Sequence, residues 1–413
     1  MAASKASAAA LFKGGVWRRI PPTVWALGVT SLLMDTASEA IHSLLPVFIV
    51  SVLGASPALL GFMEGVAEGL TAVTKLFSGV LSDRLKARKS ITIAGYSLAA
   101  LSKPIFAMAT SMGWVWTARL IDRFGKGIRG APRDALIADL VAPEVRGAAF
   151  GLRQALDTVG AVLGPLSAMF VLVWLEQSLR SVFWITVIPA GLSVLVLVFA
   201  VKEPPQEDGK DSKNTTPFAW SEVVNMPRAF WAVVGAGGAL TMARFSEAFL
   251  VLRAQDQGMT LAYLPLVLVT MNVVYAGVAY PAGVLADRAA PHKLLAGGAV
   301  VLIAADVAMG LGGSISMTFI GIALWGLHMA LTQGLLSALV AAVAPAGARA
   351  SAFGLFNLIM GLVTVVSSTL AGVLWEQLGP KATFVTGGGF AVLALVGAGL
   401  LAPFLKAAGS PSH

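Results

Sequence analysis

Arg119, Asp122, Arg123, Lys126, Arg129 and Arg133 sit close together in a chain that is otherwise largely apolar. At 100° per residue a helix gathers these six side chains onto an arc of about 120°. An ionisable group at membrane depth costs about 2.5–3.5 kcal/mol on insertion scales, so such a stripe must face a wet cavity or partner charges. Two further sets share the pattern: Asp35, Glu39 and His42 at i, i+4, i+7, and Glu64, Glu68 and Lys75 at i, i+4, i+11. Each set falls on one helix face. A carboxylate in a low-dielectric cavity resists ionisation and nearby cations oppose that resistance, so alternating exposure lets it bind and release a proton near neutral pH. Static ion pairing is the competing reading, with Arg153–Asp157 at i+4, Arg244–Glu247 at i+3 and Glu68–Lys75 two turns apart as its clearest cases.

The elements that must position these groups are membrane helices. With 57% hydrophobic and 12% charged residues, and mean hydropathy +0.81, the 413-residue chain has too much apolar surface for a soluble core. It contains no cysteine, which excludes disulfides and thiolate ligands. It has no H-E-x-x-H run either, so no metal or cofactor is expected. The formal charge of +8 is spread over short loops and helices, which argues against a nucleic-acid partner. Apolar runs long enough to cross the bilayer fall near 24–53, 58–82, 90–111, 114–138, 148–175, 181–201, 229–252, 261–285, 293–313, 317–343, 350–375 and 382–405. The expected fold class is therefore all-α integral membrane with twelve transmembrane helices.

Basic residues cluster in the N-terminal tail (Lys5, Lys13, Arg18, Arg19), after the second helix (Arg84, Lys86, Arg88, Lys89) and after the sixth (Lys202, Lys210, Lys213). Positive-inside logic makes that side cytoplasmic and places both termini there, with the inner (cytoplasmic) membrane as the expected location. Pro21 and Pro22 precede a run longer than a signal h-region, so the basic start reads as a tail. Residues 202–217 are rich in proline, charge and small polar side chains, the composition of a solvated linker. The expected organisation is a tail at 1–23, a six-helix bundle at 24–201, a cytoplasmic loop at 202–228, a second bundle at 229–405 and a tail at 406–413.

The two halves repeat. GVLSDR at 79–84 recurs as GVLADR at 283–288, RGAAFGL at 146–152 as RASAFGL at 349–355, and SEA at 38–40 as SEA at 246–248, at offsets between 203 and 208. A duplicated six-helix unit follows, with the solute path between the halves near the midplane. The repeat makes Glu39 and its mate Glu247 the leading proton-coupling candidates, ahead of Asp35, Glu64, Glu68, His42 and Asp122. On the stripe, Arg119, Arg123, Lys126 and Arg129 are the substrate-binding candidates, while Arg133 and Asp134 are assigned to the cytoplasmic edge, near Pro132. His328, aligned with Lys126 at an offset of 202, is expected to face the same cavity with Trp325 and Gln333. Asn272, Asn357, Met34 and Met271 are further candidates for the path.

These residues resemble the major facilitator superfamily, whose signature after the second helix is G-x-x-x-D-R-x-G-R-(R/K). Gly79, Asp83, Arg84 and Arg88 match it, with Lys86 and Ala87 as departures, and Gly283, Asp287 and Arg288 match a weaker second copy. The resemblance implies that these residues latch the cytoplasmic gate. Physically, Gly79 permits close helix approach, Asp83 can cap a helix N-terminus and Arg84 can reach an acid such as Asp139. Arg123-x-x-Lys126-Gly127 is similar to the family's R-x-x-Q-G element, whose arginine is associated with proton or substrate coupling. Gly160-x-x-x-Gly164-Pro165 resembles an element found in exporters, although the same pattern also serves close packing. The expectation is a monomeric, proton-coupled secondary transporter of a small anionic or zwitterionic solute, leaning to efflux antiport. The alternatives are a proton symporter taking up an organic anion or iron-chelate and, from another class, a membrane enzyme or sensor. Against the last stand the duplicated halves and the lack of a nucleophile-base-orienter arrangement.

Overall fold

The computed structural model describes residues 19–85, 87–142, 145–174, 178–202, 226–286, 289–345 and 348–408, which are nearly all helical with no strand among them. Twelve spans follow one another: α1 (Pro22–Val52), α2 (Pro57–Leu85), α3 (Arg88–Met108), α4 (Met112–Leu140), α5 (Arg146–Trp174) and α6 (Leu179–Ala200) in the first half. The second half has α7 in two pieces (Arg228–Ala243 and Ala248–Asp256), α8 (Leu266–Ala286), α9 (Pro291–Leu311), α10 (Ile315–Val343), α11 (Arg349–Leu378) and α12 (Pro380–Ala408). Pro22, Pro57, Pro291 and Pro380 each open a helix, where a missing N–H costs no hydrogen bond. Pro132 lies inside α4 without ending it: the helix continues to Leu140, since membrane helices accommodate a proline when neighbours satisfy the freed carbonyl.

The main departure from the expected spans is α7. Its continuous run unwinds over residues 244–247, with Arg244 at φ −102°, ψ 77°. The Ser246 N–H freed by the break donates to Ser368 Oγ of α11 at 3.1 Å. Among the described residues, nine of the spans are long and apolar enough to cross a membrane by themselves, and α2, α4 and α7 are not. α4 carries the charge stripe, α2 its partner acids Glu64 and Glu68, and α7 the break, so these three turn polar faces inward.

Helix packing repeats between the halves. α1 on α5, α2 on α4, α3 on α4 and α3 on α6 recur as α7 on α11, α8 on α10, α9 on α10 and α9 on α12. The halves meet where α2 runs along α11 and α5 along α8. Small residues permit the close approach: a Cβ on Gly61 would stand 2.0 Å from the Ser368 carbonyl oxygen. Gly160 and Gly164 of α5 likewise press on α1, where a Cβ would fall 2.6 Å from the carbonyls of Leu32 and Thr36. In the last turns of α1 and α7, Gln255 donates to Ser51 at 2.9 Å, joining the halves at that end of the molecule. One apolar core lies wholly in the first half, around Leu27, Met34, Leu136 and Leu197. The other joins Phe48, Phe106 and Phe183 to Phe230, Phe249 and Trp325 across the halves. Trp174, Phe199 and Tyr280 point outward, as lipid-facing residues should.

Candidate functional site

The α4 stripe is a ladder of ion pairs with one rung left open. Arg119 pairs with Glu64, and Arg123 donates to Glu68 at 3.0 Å, both partners coming from α2. Asp122 accepts from Lys103 of α3 at 2.7 Å and stands 3.4 Å from Arg123 Nε. Arg129 reaches Asp35 of α1 at 3.5 Å and lies 4.4 Å over the Tyr96 ring. Arg133 donates to Ser31 at 2.9 Å and to the Tyr96 hydroxyl at 3.3 Å, with Asp134 3.2 Å away. Lys126 is exposed and, among the described residues, has no carboxylate within 4.0 Å. The pattern follows from desolvation: a buried cation is retained only with its partner, whereas a hydrated one needs none.

Two adjoining chambers open beside this ladder. The central one, about 390 Å³, is lined from the first half by Glu39, His42, Glu64, Glu68, Arg123 and Lys126. From the second half come Arg244, Ser246 and Glu247 at the α7 break, with Asn272, Gln333 and Thr364. His42 bridges acids there, with Nδ1 3.3 Å from Glu39 and Nε2 3.9 Å from Glu64. The second chamber, about 410 Å³, lies toward the Arg133 end of α4 and is lined by Asp35, Lys75, Arg129, Arg133, Arg153 and Asp157 among others. Lys126, Ala161, Asn272 and Gln333 line both chambers and form the neck between them.

Several expected site residues lie elsewhere. Arg119 and Asp122 are buried behind the chamber wall and do not line it, because each is held by its own ion pair. His328 is fully buried, with Nδ1 2.8 Å from the Gly298 carbonyl of α9. Trp325 packs behind Phe245 at 5.4 Å between ring centroids and does not reach the chamber. Met34 and Met271 are core residues, and Asn357 is exposed away from both chambers. Arg133, assigned to the cytoplasmic edge, is buried and lines the second chamber.

Among the described gate residues, Arg88 and Asp139 meet each other and Gly79 meets α4, all in the first half. Arg88, not Arg84, pairs with Asp139, and Arg84 is exposed. Gly79 faces Ala131 of α4, where a Cβ would meet it at 3.3 Å, while Gly283 faces open space. The Asp83 side chain and residues Asp287 and Arg288 lie outside the described residues, as do the N-terminal tail to residue 18 and the central loop from 203 to 225. Of the static pairs, Arg153–Asp157 forms at 2.8 Å, whereas Glu68 takes Arg123 in place of Lys75, and Arg244 and Glu247 form no ion pair.

Sequence reasoning missed Lys103, which is 1% exposed and bonds Ser38 at 2.8 Å as well as Asp122. The signal was present: a lysine inside an apolar span requires an acid partner, and Asp122 on the next helix requires a cation. It also missed Arg244 and Lys75 as chamber cations, having weighed them only as members of static pairs.

A profile of the Major Facilitator Superfamily matches residues 27–267 and 239–412. An MFS-type transporter of Methanocaldococcus jannaschii is 31% identical over 396 residues, covering 94% of this chain and 96% of that protein. The multidrug resistance protein MdtH of Photorhabdus laumondii is 28% identical over 169 residues, 41% of this chain and 40% of that one. Among solved structures, an inward-facing, unoccupied bacterial homologue of the human lysosomal transporter Spinster superposes with a TM-score of 0.76 at 19% identity, covering 94% of this chain and 98% of that one. With twelve helices in two repeating halves and a charged cavity between them, this multi-pass membrane protein belongs to the major facilitator superfamily of transporters.

Proposed function

We propose that the protein is a proton-coupled secondary transporter that moves a small anionic or zwitterionic solute by alternating access, with efflux antiport as its direction. The observation that carries this reading is the central chamber, where Lys126, Arg244 and Glu247 face one another from opposite halves without ion-pair partners within 4.0 Å among the described residues. Groups of both signs without a close ion pair suit a solute bearing a carboxylate and an amine. Glu39 and Glu247 occupy the same chamber from α1 and from the α7 break, which suits a site where protonation and solute binding influence each other. The lean to efflux rests on the likeness to MdtH proteins, whose name refers to multidrug resistance, and on Gly160-x-x-x-Gly164-Pro165. A monomer in the cytoplasmic membrane with both termini inside completes the proposal, on the distribution of basic loops.

Proteoliposomes loaded with a pH-sensitive dye test it. Solute-driven proton movement out of phase with the solute supports antiport, and in-phase movement favours the symport alternative. No solute-dependent proton flux across a broad panel of anions and zwitterions would overturn proton coupling.

A further inference from the structure

The second chamber differs in charge from the central one. Five cations line it against two carboxylates. Three of those cations are engaged: Arg129 with Asp35, Arg153 with Asp157, and Arg133 with Asp134 just outside the lining. Lys75 and Lys126 have no carboxylate within 4.0 Å among the described residues. The Lys75 stem crosses α4 at Gly130, one turn on from Lys126, with Cε 3.6 Å from where a Cβ on Gly130 would stand. Both ammonium groups therefore serve one space. In the same wall, Arg129 Nη1 is buried without an acceptor, and Arg153 Nε stands 3.8 Å from Asp134 without a hydrogen bond. Unmatched positive charge and unfilled donors both call for an anion with several oxygens.

We propose that Lys75 and Lys126 form a two-lysine subsite for a dianionic group, such as a phosphate monoester, at one end of the solute. This deepens the transporter reading and rests on it for the claim that the ligand is cargo. A lysine ammonium is a point charge with three rotatable donors, so it imposes no planar geometry and suits a tetrahedral group. The neck at Lys126, Asn272 and Gln333 connects this subsite to the central chamber, which has room for the rest of the molecule.

Phenyl phosphate and phenyl sulfate separate charge from shape. Both are tetrahedral, but at pH 8, above the second phosphate ionisation near about 6, only the phosphate carries two charges. Calorimetry on the full chain in phosphatidylcholine nanodiscs should show phenyl phosphate binding about tenfold or more tighter than phenyl sulfate. Lys75→Gln and Lys126→Gln should each abolish that preference, and Lys75→Arg should keep it. Equal affinities in the unaltered protein would overturn the subsite without any variant having to fold, and so would a preference that survives both glutamine substitutions. Adding phosphatidic acid to the nanodiscs distinguishes the source of the group: competition with phenyl phosphate assigns the subsite to a lipid headgroup, and its absence to a soluble cargo. Failure here leaves proton-coupled transport standing, whereas phosphate-selective binding without proton flux removes proton coupling and leaves the subsite.

Discussion

Breaking the Lys103–Asp122 pair should destabilise the protein more than removing the exposed, chamber-facing charge of Lys126. The ammonium and carboxylate are 2.7 Å apart, with side chains 1% and 5% exposed. At an effective dielectric constant of about 20, their attraction is about 6 kcal/mol. Removing one partner strands the other in a dry interior, at about 3–5 kcal/mol. Asp122→Leu belongs at the upper end, since Lys103 then retains only Ser38 at 2.8 Å. Lys103→Met belongs at the lower end, because Asp122 keeps Arg123 at 3.4 Å. Lys103→Met with Asp122→Leu removes both charges and should cost less than Asp122→Leu alone, giving a coupling of more than about 3 kcal/mol. Unfolding free energies in bicelles titrated with a denaturing detergent measure all four corners of this cycle. Additivity within about 0.5 kcal/mol would refute the pairing.

Three other outcomes follow from the same geometry. Gly61→Ala places a methyl against the Ser368 carbonyl, 2.0 Å from the ideal Cβ, and should cost at least about 1–3 kcal/mol in the same unfolding assay. His328→Ala should lower stability by about 1–3 kcal/mol, through the lost bond to Gly298, and leave solute affinity unchanged; Lys126→Ala should do the reverse, as ligand-dependent thermal shifts will show. Glu39→Gln and Glu247→Gln should each abolish gradient-driven accumulation and spare counterflow, and wild-type accumulation in both would remove these acids from the proton path.

The spans and the repeat were legible because lipid imposes long apolar runs and duplication preserves spacing. The stripe was legible because a charge in such a run stands out. What the sequence could not fix was rotation. Aligning Lys126 at an offset of 202 selected His328, yet the motifs repeat at 203 to 208, and Gln333, 207 residues on, is what lines both chambers with Lys126. Five residues turn a helix by about 140°, enough to swing His328 from the cavity to α9. The break in α7 was hidden for a different reason: residues 244–247 contain neither glycine nor proline, and the unwound backbone is held by Ser368 of a distant helix. Partner choice was equally non-local. Glu68 and Lys75 share a helix, but Arg123 across the α2–α4 contact lies closer to Glu68.

Because the chain has no cysteine, single introduced cysteines report water access without background. In proteoliposomes, Lys126→Cys and Gln333→Cys should react with a water-soluble thiol reagent and be protected by transported solute, since both positions line the neck between the chambers. His328→Cys, fully buried against α9, should not react. A reactive His328→Cys beside an inert Lys126→Cys, from either face of the membrane, would contradict a solute path through the charged chambers.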